Sequence, residues 1–375
     1  MRTFTATAAA ALVVLSTAGR AATEPVNQEV VAKLKVEGFQ HSDVMETLSW
    51  LSDVYGPRLS GSENLRKAGE WARDQMTHWG LEHAALEPYD EPTFRGWTLE
   101  HFDIAMVEPQ YMRIYGYPMA WSPATAAPLT GTPIVVDVKS KDDFERYRGK
   151  LRGALVMNGR PRPVDIGFQP EATRLTDAAL DKQEHELNPG DPSTLKDEEN
   201  DFNKALDKQI EILKFFAAEG VAAVITPSSI PEAVRVSGYY DQKYHAPFPS
   251  FVFSREHYGR IVRMLDKKVP VKLSVSVTAT FTDNIHGFNV VGEIPGSDPA
   301  LRDQVVMLGG HLDSWHTATG ATDNGAGCAV VLEAVRMLKA IGVKPRRTIR
   351  VGLWTGEEQD YFGSLGYVTR HFGSP

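Results

Sequence analysis

The sequence predicts an α/β protein, with a mostly parallel sheet in its last hundred residues and a second, smaller α/β unit before it. Three observations carry this. Short apolar strands at Gln304–Gly309 and Thr348–Thr355 flank a helical pattern at Gly325–Ile341, the alternation of a sheet with helices on its faces. A separate set of short strands and helices lies upstream, between about Thr132 and Thr282. The 375 residues are 42% hydrophobic and 23% charged, enough for two cores of ordinary size. A net charge of −8 excludes a broadly basic nucleic-acid surface. The single cysteine, Cys328, excludes an internal disulfide and a cysteine metal cluster.

Taken in chain order, Arg2, the apolar run Ala6–Val14 and small residues up to Ala22 read as a cleaved export signal over 1–22. That run is too short to span a bilayer, so the expected location is periplasmic or extracellular. After a polar linker, Asp43 and Ser62 are candidate caps for helices ending near Leu51 and Gly80. In the second of these, Leu65, Ala68, Ala72 and Met76 follow helical spacing. Strands are expected at His83–Tyr89 and His101–Val107, followed by a Pro- and Ala-rich connector at Pro118–Pro128. Further strands are expected at Pro133–Val138, Gly153–Asn158, Val221–Thr226 and Val271–Thr282. Helices are expected from Glu199 and Ser254, and Arg160–Asp201 reads as a surface excursion.

Three segments near the C-terminal end concentrate polar residues where strands finish: GGHLDSW (309–315), GATDNGAG (320–327) and WTGEEQ (354–359). Singly, each has a plain reading. His311 suits a structural histidine at a strand end, Asp323 a helix cap, and Glu357-Glu358 an acidic helix start. Together they supply His, Asp and Glu from successive strand-end loops, the ligands of a hydrolytic zinc site. Adjacent carboxylates also repel unless a cation or proton relieves them.

These segments resemble the metal-binding segments of the M28 family of zinc peptidases, and HLDSW with the Thr348–Gln359 stretch is most similar to members of the carboxypeptidase Q type. The resemblance implies a peptidase domain formed from 23–130 and 284–375, incomplete at its C-terminus, around a protease-associated-like insert at 131–283. It implies two zinc ions, with His311 on one, Glu358 on the other and Asp323 bridging them through a loop whose Asp323–Asn324 bond is cis. Glu357 would be the general base, and Asp313 would orient His311. His316 reads as a rim residue rather than a ligand. The family's remaining Asp and His ligands lie downstream of the Glu pair, and Asp360 and His371 are too near it to match them.

The function implied is an exported zinc exopeptidase acting on dipeptides or the terminal residues of short peptides, with no nucleic-acid partner and no membrane span; nothing supports an oligomer. The alternative is a noncatalytic, receptor-like binding protein of the same architecture, or an inactive fragment. A serine hydrolase is disfavoured because Gly-x-Ser-x-Gly does not occur. With seventeen residues after Glu358, each zinc would have two protein ligands, fewer than the usual three. The chain by itself is expected to bind zinc weakly, hydrolyse dipeptides negligibly and be poorly soluble. Metal analysis and a dipeptidase assay on the purified 375-residue product check this.

Overall fold

Two long strands organise the fold. The structure is a computed structural model and describes residues 26–373 except 140–141, 165–166, 169, 171, 186–194, 232 and 239–244. The expected export signal lies outside the described residues, as does part of the Arg160–Asp201 excursion. In chain order the strands are β1 (Glu82–Glu108), β2 (Met112–Arg113), β3 (Gly116–Pro118), β4 (Leu129–Gly131), β5 (Pro133–Val136) and β6 (Leu155–Asn158). They continue with β7 (Ala223–Pro227), β8 (Ser250–Phe253), β9 (Lys272–Ile294), β10 (Val305–His311) and β11 (Thr348–Trp354). One sheet has the order β10-β11-β9-β1-β2, with β4 also on β9; the other has the order β3-β8-β7-β6-β5.

β1 and β9 pair antiparallel from Glu82 opposite Glu293 to Glu108 opposite Lys272. The sequence marks only pieces of this ribbon, for a physical reason. Its register shifts between Pro88 and Thr93, between Phe94 and Gly96, and between Leu99 and His101. Each irregularity swaps the inward and outward faces, so no single alternation runs the length of either strand. The first sheet is therefore mixed rather than mostly parallel. Its parallel pair is β10 with β11, and the ribbon contributes antiparallel pairs. Three parallel pairs lie in the second sheet, β5–β6, β6–β7 and β7–β8. The expected unit boundary at residue 283 falls inside β9, which continues unbroken to Ile294.

The ribbon serves two cores. At one end Phe288, Val290 and Ile294 of β9 join Val351 and Leu353 of β11. Against them pack Leu65, Ala68, Ala72 and Met76 from the helix Glu63–His78, and Cys328, Leu332 and Val335 from the helix Ala326–Ala340. At the other end Ile104 and Met106 of β1, with Leu273, Val275 and Val277 of β9, pack on the second sheet and the helix Arg255–Asp266. Caps behave locally: Ser62 Oγ accepts from the Leu65 amide at 3.2 Å, and Ser254 Oγ from the His257 amide at 3.3 Å. Asp43 makes no side-chain cap. Where a polar linker was expected, Asn27 caps a helix at Gln28–Gln40. Among the described residues no helix is long and apolar enough to cross a membrane.

His316 joins the two sheets and does not sit at a rim. It is buried, its Nε2–H donates to the Pro118 carbonyl of β3 at 2.8 Å, and its ring lies edge-on to Trp97 at 5.2 Å. Burial pushes the imidazole down to about 4 from its ordinary 6.5. The folded state thus favours the neutral ring, while the unfolded chain takes a proton as pH falls through 6.5. Stability from this residue is present above that pH and is lost toward pH 4, by about 3 kcal/mol in all. Urea titrations at pH 7 and pH 4 should show that His316→Gln loses less stability on acidification than the wild type by about that amount.

Candidate metal centre

Parallel strands that end together bring their loops together. His311, the last residue of β10, stands in register with Trp354, the last of β11, and the Leu312 amide donates to the Trp354 carbonyl at 2.6 Å. The chain leaving β11 therefore presents Glu357 and Glu358 beside His311. A five-residue turn, Ala321–Gly325, precedes the helix Ala326–Ala340 and carries Asp323 to the same place. Gly320 opens this turn with φ +68°, and a Cβ there would meet Ser314 Oγ at 2.5 Å, so only glycine fits. The Asp323–Asn324 peptide is cis, as the resemblance implies.

His311, Asp323 and Glu358 each offer one ligand atom, all within 4.8 Å of one another. His311 Nε2 lies 3.0 Å from Asp323 Oδ1 and 3.7 Å from Glu357 Oε2. Its Nδ1–H donates to the Asp313 backbone carbonyl at 3.1 Å, which leaves Nε2 for the shared pocket. Burial alone would lower the His311 pKa, but the carboxylates of Asp313, Glu357 and Asp323 outweigh it and raise it to about 9. Burial, then Asp323 and Asp313, pushes Glu358 up to about 7; burial also raises Glu357, where His311 opposes the shift. This is a cluster with excess negative charge. One imidazole and two carboxylates without sulfur are a donor set that fits Zn²⁺, and a divalent cation would relieve the repulsion. The residues present therefore fit the metal.

The layer beneath the cluster fixes its geometry. Asp313 is fully buried, and its carboxylate takes a different role from the one expected. Its nearer oxygen is 3.7 Å from His311 Nδ1, beyond a hydrogen bond. Instead Oδ2 accepts from Ser60 Oγ at 2.9 Å and from the Glu358 amide at 3.3 Å, and Oδ1 accepts from the Glu357 amide at 3.3 Å. Asp313 thus caps the short turn Glu357–Asp360 from across the site and reaches His311 through its own main chain. Behind that turn, the buried Asn289 of β9 accepts from the Thr355 amide at 3.3 Å and donates to the Gly363 carbonyl at 2.8 Å.

Arg58, Ser60 and Asn289 give no sign in the sequence of serving this site. Arg58 and Ser60 sit in a Gly- and Ser-containing stretch, PRLSGS (57–62), that reads as a turn. Asn289 is a polar residue inside an apolar strand, which could have been questioned on burial grounds.

Asp313→Ala would strip an acceptor from Ser60 and from two main-chain amides. The expected outcome is a loss on the order of 3 kcal/mol in stability and ~10–100-fold in metal affinity. Denaturant titration and zinc-competition titration measure the two effects; unchanged zinc affinity would show that the Glu357–Asp360 turn holds its place without Asp313.

Residues 289–374 match the model of Peptidase family M28. Human carboxypeptidase Q is 28% identical over 344 residues, which cover 92% of this chain; the chain spans 64% of that protein's length. Leupeptin-inactivating enzyme 1 of Streptomyces exfoliatus is 32% identical over 156 residues, 40% of this chain and 35% of that enzyme. Among solved structures, a peptidase M28 precursor from Shewanella amazonensis SB2B superposes with a TM-score of 0.63 at 22% identity, covering 92% of this chain and 70% of that one. A zinc aminopeptidase from Bacillus subtilis gives 0.50 at 19% identity, covering 87% and 64%. Both structural likenesses bear on the fold. Motifs and fold point the same way: residues 289–374 match peptidase family M28, and over most of its length the chain is similar to carboxypeptidase Q.

Proposed function

We propose that this chain carries the metal-binding part of an exported zinc exopeptidase that hydrolyses dipeptides or terminal residues of short peptides. The observation that carries the reading is the convergence of His311, Asp323 and Glu358 within 4.8 Å, with Glu357 alongside. In the two-ion arrangement that the resemblance implies, His311 would help hold one ion, Glu358 the other, and Asp323 both. Zinc, when bound, supplies Lewis acidity toward the scissile carbonyl and toward water. Glu357 accepts a proton from the attacking water and returns it to the departing amine as the C–N bond breaks. Its partial burial raises its pKa toward neutrality, which suits a group that both takes and gives a proton. Asp313 accepts from the Glu357 and Glu358 amides and so fixes the turn that carries both carboxylates, one for binding and the other for proton transfer. Residues 131–283 are read as the protease-associated-like insert, 23–130 and 284–375 as peptidase domain, and 1–22 as the export signal.

The test is metal analysis together with dipeptide hydrolysis, on this chain and on the product of any reading frame that continues beyond residue 375. Zinc binding without turnover in both would favour the noncatalytic, receptor-like alternative. In the active form, Glu357→Gln should retain zinc and lose ~10²–10⁴-fold in kcat, since an amide cannot take the proton. Glu358→Gln should lose zinc affinity. Equal metal loss in the two variants would show that the roles are exchanged or shared.

A further inference from the structure

We propose that Arg58 is a positioning residue that presets the metal site, holding the strand end that carries His311 and the turn that carries Asp323 at a fixed separation before any metal binds. The inference rests on the metal reading above. Arg58 is fully buried, yet its guanidinium is engaged by main chain on several sides. Nε donates to the Leu312 carbonyl at 2.7 Å, one residue after His311. Nη2 donates to the Gly320 carbonyl at 2.9 Å and Nη1 to the Thr319 carbonyl at 3.0 Å, where the chain enters the Asp323 turn. Nη1 also reaches the Leu51 carbonyl at 2.6 Å. One planar group therefore bridges both ligand-bearing segments and the helical turn Trp50–Val54.

The Arg58 main chain adds a second tie. Its amide donates to Ser314 Oγ at 3.0 Å, and its carbonyl accepts from the Ser314 amide at 3.0 Å. The Gly320 carbonyl is shared, because the Gly325 amide donates to it at 2.9 Å and closes the Asp323 turn. Inward-facing carbonyls such as these need donors once buried, and a fork of five N–H groups meets several at once in one plane. A lysine ammonium has three donors on a single point and cannot span the same set. Ligands held in place by such outer contacts bind metal more tightly, typically by ~10–100-fold relative to variants lacking them.

The experiment pairs cobalt binding with hydrogen exchange. Co²⁺ is titrated into the metal-free wild type and into Arg58→Lys, following the d–d absorption, and amide exchange is read over residues 319–327. In the metal-free wild type the Gly325 and Gly327 amides should be protected. Arg58→Lys should lose that protection while keeping it in the helix Glu63–His78, bind Co²⁺ ~10–100-fold more weakly and show an altered d–d spectrum. A role confined to stability would lower the melting temperature and leave the cobalt affinity and spectrum of the folded variant unchanged, and that result would overturn the proposal. So would rapid exchange over 319–327 in the metal-free wild type, with protection appearing only after Co²⁺ is added. If Arg58→Lys does not fold, this wild-type exchange decides alone: protection supports the preset site and its absence removes it. Failure of the wild type itself to bind Co²⁺ would overturn the metal reading, an outcome distinct from equal binding by wild type and variant.

Discussion

Two buried charged side chains, Asp313 and Arg58, are the constraint on which the site depends. Each is withdrawn from solvent, and each is satisfied largely by main chain rather than by an opposite charge in contact. A buried charge costs several kcal/mol unless hydrogen bonds replace its water, so these groups are stable only while the surrounding loops keep their carbonyls and amides aimed inward. The dependence is mutual. The loops carry the ligand residues, and the charges hold the loops. Asp313 governs the turn of Glu357 and Glu358, while Arg58 governs the junction between His311 and the Asp323 turn. One imidazole and three carboxylates are thereby kept within a few ångströms by a layer that lies beneath them.

That layer explains how the cluster can carry unrelieved negative charge. Burial, reinforced by neighbouring carboxylates, raises the pKa values of Glu357 and Glu358, and those carboxylates raise His311 against the effect of its own burial. In water these groups would separate. Here the Glu357 and Glu358 amides are tied to Asp313, which Ser60 holds, and Asn289 fixes the flanking Thr355 and Gly363, so the repulsion is expressed as proton affinity, and equally as affinity for a divalent cation. The same charge pattern therefore serves as a description of the metal-free protein and as the argument for what it binds.

On a larger scale the β1–β9 ribbon does for the two sheets what Arg58 does for the loops. One end of it supplies a wall of the core under the metal centre and the other supplies a wall of the core under the second sheet. His316 and Trp97 pack where these regions meet, with the His316 imidazole bonded across to Pro118. A neutral, desolvated histidine at that seam couples the joint to pH through folding stability. It lies five residues after His311 in sequence but serves a different part of the structure.

Much of the site was legible in the sequence. Chemistry-bearing residues sit at the ends of short apolar strands, and the three segments 309–315, 320–327 and 354–359 each contain the residue that the fold brings into the cluster. The helices with strong periodicity and a Ser cap, Glu63–His78 and Arg255–Asp266, were also readable, because period and cap are local properties. The ribbon was visible only in pieces, since its bulges erase the alternation that marks a strand. The spacing of Asp313 from His311 suggests a side-chain contact, and the main chain of Asp313 makes that contact instead. Arg58 could not be read at all: its partner Leu312 lies 254 residues away, and nothing local distinguishes an arginine that will be buried from one that will face water. The sequence determined which groups could bind metal, because ligand chemistry belongs to the side chain. Only the tertiary structure decided what holds them together, because that depends on carbonyls and amides that every residue has and only the folded chain can aim.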